Sequence, residues 1–229
     1  MNKILLETTD LKKNYDHFDG SVTLFKNFNI KIKEGELVAL VGPSGSGKSS
    51  LLHILALLDE PSGGKVMIDS QETKNFSDSQ KEEMRKKNIS IIFQDNNLLS
   101  DFTAIENIKM PLIIKGEKES LINQKAEKIL KEVKIVNRSN HFPNELSGGE
   151  QQRVAIARAL IAETKIILAD EPTGNLDYKT SKEIFSIFLK LKKLKKTIIF
   201  ATHNREFANR ADYKLLISDG NIKRVNARY

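Results

Sequence analysis

The eight residues Gly42-Pro43-Ser44-Gly45-Ser46-Gly47-Lys48-Ser49 limit what this chain can fold into more than any other stretch. They fill the spacing Gly-x-x-x-x-Gly-Lys-Ser/Thr, and their flanks are as specific as the loop itself. Leu37-Val38-Ala39-Leu40-Val41 is a short continuous apolar run, the pattern of a strand buried on both faces. Lys48 to Leu58 reads as a helix, which Pro61-Ser62-Gly63-Gly64 breaks. A strand feeding a helix through a glycine-rich turn gathers backbone N–H groups and a helix N-terminus around one point, which suits a phosphate. In such a loop Lys48 reaches the outer phosphates and the Ser49 hydroxyl ligates Mg2+. A Gly/Ser turn that binds nothing would need neither flank.

The rest of the chain alternates strands with helices. Ile4-Leu5-Leu6 opens as a strand, and Val22 to Ile32 alternates apolar with polar positions before a Glu34-Gly35 turn. Lys65 to Asp69 reads as a strand, Asp78 to Lys87 as a short charged helix, and Ile89 to Phe93 as a buried strand. From Asn96 to about Asn144 the period becomes helical, with Ile122, Ala126, Ile129, Leu130 and Val133 at spacings of three and four. Ile166 to Ala169 and Thr197 to Ala201 are again buried strands, separated by an amphipathic helix carrying Ile184, Ile187, Phe188 and Leu191. A hairpin from Lys214 to Arg224 turns at Asp219-Gly220. This order predicts a mainly parallel α/β core with a helical insertion.

Composition removes several classes of function. With 229 residues, 39% hydrophobic and 29% charged, the chain suits one sizeable globular domain. No apolar run approaches the roughly 18 residues a membrane span needs. The N-terminus has no long apolar stretch with a small-residue cleavage site, so no signal peptide and a cytoplasmic location are expected. The absence of cysteine excludes disulfides and thiolate zinc sites. A net charge of +7 admits anionic partners. The lysines, however, are spread along the chain beside glutamates and are not interleaved with aromatics, so no nucleic-acid partner is expected.

Two further clusters carry chemistry. Asp170-Glu171 ends the strand Ile166 to Ala169, and adjacent side chains on a strand point apart. Asp170 can therefore hold Mg2+ through its water shell while Glu171 polarises a water. Many strands end in an acidic turn, so the pair gains meaning only beside the phosphate loop. Leu146-Ser147-Gly148-Gly149-Glu150-Gln151 opens a helix running to Ala162. It is either a second anion cradle or a plain Ser/Gly helix cap.

In order along the chain, the phosphate loop, the 146–151 hexapeptide and the acidic strand end resemble the motifs of ABC ATPases, over essentially the whole chain. The resemblance implies a P-loop NTPase (RecA-like) α/β core with an N-terminal antiparallel β subdomain and an inserted α-helical subdomain. The division is one domain over 1–229, with core and β subdomain at about 1–95 and 160–229 and the helical subdomain at about 96–159. It implies an ATPase using ATP and Mg2+, working as a head-to-tail homodimer. Gly42, Pro43, Ser44, Gly45, Ser46, Gly47, Lys48, Ser49 and Ser50 of one chain would hold the triphosphate, and Leu146, Ser147, Gly148, Gly149, Glu150 and Gln151 of the other would cap it. Tyr15 is similar to the aromatic platform for adenine, and Gln94 to the glutamine that senses Mg2+ and water. Pro172 to Asp177 is similar to the loop crossing the dimer interface, and His203 to the histidine on the γ-phosphate. The implied catalytic set is Lys48, Gln94, Glu171 and His203; the implied metal set is Ser49, Gln94 and Asp170. One departure is Asn204, where related proteins often carry Asp, which removes a charge beside the histidine and leaves its orientation open.

Within the family, Leu51 to Leu55, Leu58-Asp59 and Leu98 to Leu112 look most like the lipoprotein-release (LolD) type, grouped with the macrolide-efflux (MacB) and cell-division (FtsE) types. That resemblance implies a peripheral protein on the cytoplasmic face of the inner membrane, bound to two integral-membrane permease subunits and not touching the cargo. Leu98, Leu99, Phe102, Ile105 and Met110 either line a docking groove for those subunits or pack the helical core. The efflux and division types share all of this chemistry. A soluble ABC ATPase of DNA repair or translation is disfavoured by the lack of a coiled-coil insertion or second ATPase half. A non-catalytic regulatory module is disfavoured by the presence of both Glu171 and His203.

Overall fold

The structure, a computed structural model, describes residues 3–17 and 20–227, so both ends of the expected 1–229 domain, including Met1 and Asn2 of the N-terminal stretch read above, lie outside the described residues. Two sheets organise the described chain. The first is antiparallel: β1 (Ile4–His17) pairs with β2 (Gly20–Lys33) on one side and β4 (Gly63–Ile68) on the other, and β4 with the short β5 (Gln71–Glu72). The second contains β3 (Leu37–Val41), β6 (Ile89–Ile92), β7 (Ile166–Asp170), β8 (Thr197–Ala201), β9 (Tyr213–Ser218) and β10 (Asn221–Asn226) in the order β10-β9-β3-β8-β7-β6. Its β9-β3-β8-β7-β6 neighbours run parallel, and β10 is an antiparallel edge. The α/β class and the antiparallel N-terminal sheet agree with the sequence reading.

Side-chain alternation divides the core into two layers across the parallel sheet. Leu37, Ala39, Ile167, Ala169, Ile198 and Phe200 face one cluster, which holds α3 (Ala104–Ile114), α4 (Glu119–Glu132), α5 (Gly148–Ile161) and α6 (Tyr178–Lys193). Val38, Leu40, Ile166, Leu168, Ile199 and Ala201 face the other, which holds α1 (Lys48–Leu55) and the antiparallel sheet. The remaining α-helices among the described residues are α2 (Asp78–Asn88) and α7 (Arg205–Ala208). The expected boundary near residue 159 falls inside α5, which continues unbroken to Ile161.

Local chemistry explains where the elements differ from expectation. β1 extends well beyond Ile4-Leu5-Leu6 because it has partners on both edges, so its polar residues join the ladder. α1 stops at Leu55 rather than Leu58, with Leu57 in the left-handed region (φ 58°). The final hairpin turns at Asp219 and Gly220, both at positive φ (52° and 70°), as a two-residue type I′ connection needs. Among the described residues, no helix is long and apolar enough to cross a membrane.

Candidate functional site

The parallel strands β3, β7 and β8 bring three candidate segments to one sheet edge, their C-terminal ends. The loop after β3 curls because two of its glycines cannot be replaced. A Cβ on Gly42 would sit 2.3 Å from the Ile217 carbonyl oxygen, and Gly47 caps α1 at φ 93°. Lys48 is buried, and its ammonium donates to the Gly42 and Pro43 carbonyls at 3.1 Å each, so the loop wraps around its own cation. The buried Ser46 hydroxyl has no hydrogen-bond partner. Ser49 is exposed at the second residue of α1.

Asp170 ends β7 almost completely buried, and its Oδ1 has no hydrogen-bond partner. An orphaned carboxylate oxygen of this kind is costly unless something binds it. Glu171 follows at φ 42°, a strained value for a non-glycine residue. The Glu171 carboxylate meets His203, the second residue past β8. His203 N–H donates to Oε2 at 3.3 Å, and Nε2 lies 3.3 Å from Oε1. The ring contact is poorly directed for a hydrogen bond, and Oε1 remains without one. Gln94 belongs to the same neighbourhood, since a Cβ on Gly174 would lie 3.4 Å from Glu171 and 4.0 Å from the Gln94 amide nitrogen. Asn204 acts as the N-cap of α7, its side-chain oxygen accepting from Phe207 N–H at 3.2 Å. Asn and Asp cap comparably, so the departure noted in the sequence keeps the backbone that carries His203 in place.

The 146–151 hexapeptide divides in two. Leu146 is buried in the helical layer, and the Gln151 amide donates to the Pro143 and Leu146 carbonyls at 2.8 and 3.2 Å, so these two residues hold the loop from within. Ser147 and Gly148 are exposed at the start of α5. Ser147 and Glu150 form a reciprocal cap, with Glu150 Oε2 accepting from Ser147 N–H and hydroxyl at 2.8 Å each. Those bonds, with Arg138 at 3.0 Å, hold the Glu150 carboxyl below its ordinary range. Gly149 packs so closely that a Cβ would fall 2.7 Å from the Thr180 methyl. Thr180 sits in the first turn of α6, which Asp177 caps at the end of the 172–177 segment. Among the described residues no hydrogen bond or ion pair joins 146–151 to 42–50.

Tyr15 lies beside α1. Its hydroxyl is 3.4 Å from Ser50 Oγ and 3.2 Å from Asp59 Oδ2. Sequence reasoning missed the residues behind it: Lys13 places its ammonium 4.7 Å from the ring centroid while bonding Asp59 Oδ1 at 2.7 Å and the Glu60 carbonyl at 2.8 Å. The available signal was the two-residue spacing, which puts Lys13 and Tyr15 on the same face of β1. Arg158 was missed too. This lone cation in the apolar run of α5 donates to the carbonyls of Asn96 and Asn97 at 2.7 and 2.8 Å and so grips the loop just beyond Gln94. Beneath that loop an apolar groove of about 380 Å³ is lined by Ile91, Phe93, Met110, Pro111, Ile114 and Arg158, among others. Of the five residues read as lining either a docking groove or the helical core, Leu98 and Ile105 pack against that core, Met110 lines this groove, and Leu99 and Phe102 are exposed.

A scan against family models matches residues 25–174 to the ABC transporter family. The chain is 46% identical to a lipoprotein-releasing system ATP-binding protein LolD of Rickettsia bellii, over 94% of this chain and 96% of that one. It is 44% identical to the protein of the same name in Geobacter metallireducens, over 95% and 97%. An uncharacterised ABC transporter ATP-binding protein of Thermotoga maritima is 43% identical over 99% and 97%. Among solved structures, the dimeric ATP-binding cassette MJ0796 in a post-hydrolysis state with ADP and Pi superposes with a TM-score of 0.92 at 38% identity, covering 98% of this chain and all of that one.

Proposed function

The chain belongs to the ABC transporter family of ATPases, and from that premise we propose that it powers a membrane transporter as a head-to-tail homodimer whose ATP sites are each shared between two chains. The observation that carries this reading is a pair of separate segments, Gly42 to Ser49 and Ser147 to Gly149, each at a helix N-terminus suited to an anion and not joined to the other by any hydrogen bond or ion pair among the described residues. One triphosphate needs only one cradle; a second chain gives the other its purpose.

In this reading Tyr15 stacks the adenine, the loop from Gly42 to Ser50 wraps the triphosphate, and Lys48 exchanges its two carbonyl contacts for phosphate oxygens. The partner's Leu146 to Gln151 segment presents Ser147 and Gly148 to the γ-phosphate, while Leu146 and Gln151 brace that segment from inside. The orphaned Oδ1 of Asp170, the exposed Ser49 hydroxyl and the Gln94 amide suit a magnesium ion held by few protein ligands. When bound, Mg2+ would neutralise charge on the phosphates. Glu171 accepts the proton of the attacking water. His203 must first leave Oε1 to reach the γ-phosphate, and its departure frees that oxygen for the water. Glu171→Gln should therefore bind ATP and accumulate as a closed dimer; normal turnover would remove Glu171 from the base role.

The same reading divides the chain into core and β subdomain (about 1–95 and 160–229) and helical subdomain (about 96–159). The groove under Met110, Pro111 and Ile114 would then receive a cytoplasmic segment of one permease subunit, so that the homodimer's two grooves engage two such subunits and place the protein peripherally on the inner membrane. The names of the two LolD relatives support lipoprotein release as the process driven. In this reading the chain itself does not touch the cargo. Affinity purification from detergent-solubilised membranes tests this, with Ile114→Glu as the groove variant. We expect a lipoprotein-releasing permease to co-purify with the native chain and to be lost with the folded variant. Recovery of an efflux or division permease instead would reassign the process.

A further inference from the structure

The geometry points to Lys13 as the residue that positions Tyr15 as a base platform, a role that rests on Tyr15 being the adenine-stacking residue. Lys13 is a cation with its side chain only 9% exposed, and nothing in the proposed ATP chemistry uses it. Its ammonium is anchored by Asp59 Oδ1 and the Glu60 carbonyl, and in that position it covers one face of the Tyr15 ring. The ring's rim is fixed by the same carboxylate, since Asp59 uses Oδ1 for Lys13 and Oδ2 for the Tyr15 hydroxyl. The hydroxyl also meets Ser50, two residues beyond Lys48, which ties the ring to the helix of the phosphate loop.

The consequence is preorganisation. A tyrosine on a strand ordinarily samples more than one rotamer, and a ligand that stacks on it bears the cost of stopping that motion. Here a cation–π contact behind and two polar contacts at the rim hold the ring before any ligand arrives. With Lys13 over one face, a purine has only the opposite face to stack on. Burial pushes the Asp59 carboxyl up, but the hydrogen bonds from Lys13 and the Glu60 N–H outweigh it and keep it below its ordinary value. The anchor therefore stays charged at neutral pH. Lys13 is thus a positioning residue for the base, without effect on the phosphates.

The test compares two probes, ATP and inorganic tripolyphosphate, on the full chain with Mg2+. For Lys13→Met we expect the Kd and KM for ATP to rise about tenfold, with kcat at saturation and tripolyphosphate affinity within twofold of native. Lys13→Arg should recover most of the loss, and Asp59→Asn should show the same split between probes if the Met variant folds poorly. Combined with Tyr15→Ala, Lys13→Met should add nothing further for ATP. If Tyr15→Ala loses ATP affinity while Lys13→Met does not, or if Lys13→Met weakens both probes equally, the positioning role is wrong. If Tyr15→Ala itself binds ATP normally, the base-platform reading fails and the role of Lys13 falls with it.

Discussion

Replacing Arg158 with alanine should loosen the segment that carries Gln94 and should do so by a measurable amount. The guanidinium donates to two consecutive carbonyls, Asn96 at 2.7 Å and Asn97 at 2.8 Å, and both residues sit at positive φ (59° and 44°). That strained pair persists only because something holds it. A hydrogen bond from a charged donor contributes about 1.5–3 kcal/mol where it is partly shielded from water. The Asn96 bond is partly buried and the Asn97 bond is exposed, so water replaces the second at little cost. The loss should therefore be about 2 kcal/mol. For a chain of this length that lowers Tm by roughly 4–8 °C. The ATPase rate should fall as well, because Gln94 lies two residues before Asn96. Arg158→Lys, which offers a point charge in place of a planar fork, should recover part of both losses. Thermal denaturation and steady-state ATPase assays on the three proteins decide it. If Arg158→Ala melts and turns over like the native chain, the clamp on the loop does not matter.

Gly149→Ala should destabilise the chain by about 1 kcal/mol, since its Cβ would fall 2.7 Å from the Thr180 methyl. Adding Thr180→Ser removes that methyl and should restore the melting temperature; a melt unchanged by the second substitution refutes the contact. Asp69 joins the two sheets through hydrogen bonds from Lys165 (2.5 Å) and Lys3, which hold its carboxyl below the ordinary value. A depressed carboxylate stabilises the fold above the unfolded value near 4 and loses that contribution as pH falls through the folded value. Asp69→Asn should accordingly flatten the acid limb of a Tm-against-pH profile, and an unchanged limb would show that the pair is solvent-screened. Lys48→Ala should lose nucleotide affinity by equilibrium titration, because no other cation lies within hydrogen-bonding reach of the Gly42 and Pro43 carbonyls among the described residues.

Much of this was legible in the sequence because each signal was local. The run Leu37 to Val41, the glycines after it and Lys48 specify a strand, a turn and a helix within a dozen residues, and the structure contains all three. The β1 strand was legible only at Ile4 to Leu6, since the rest of it is polar and gains its conformation from partners far along the chain. The site showed the same division. Asp170, Glu171 and His203 were readable one by one as strand-end residues, but the direct contact of Glu171 with His203 arises from β7 and β8 lying side by side. Asp59 and Arg158 escaped because each acts through a partner 46 to 62 residues away, and such pairings leave no local pattern; Lys13 left only its two-residue spacing from Tyr15, which says nothing of the distant Asp59 that anchors it. Asn204 looked like a loss of charge and is in place as a helix cap.

The claim that one ATP site needs two chains is tested most directly by mixing two inactive variants. Ser147→Arg spoils the capping cradle and spares the phosphate loop, and Lys48→Ala does the reverse. Each alone should be inactive. In a one-to-one mixture, random pairing makes half the dimers mixed, each with one intact composite site, so about a quarter of native ATPase activity should return. A mixture as inactive as its components, or a Ser147→Arg chain that turns over normally alone, would contradict the shared site.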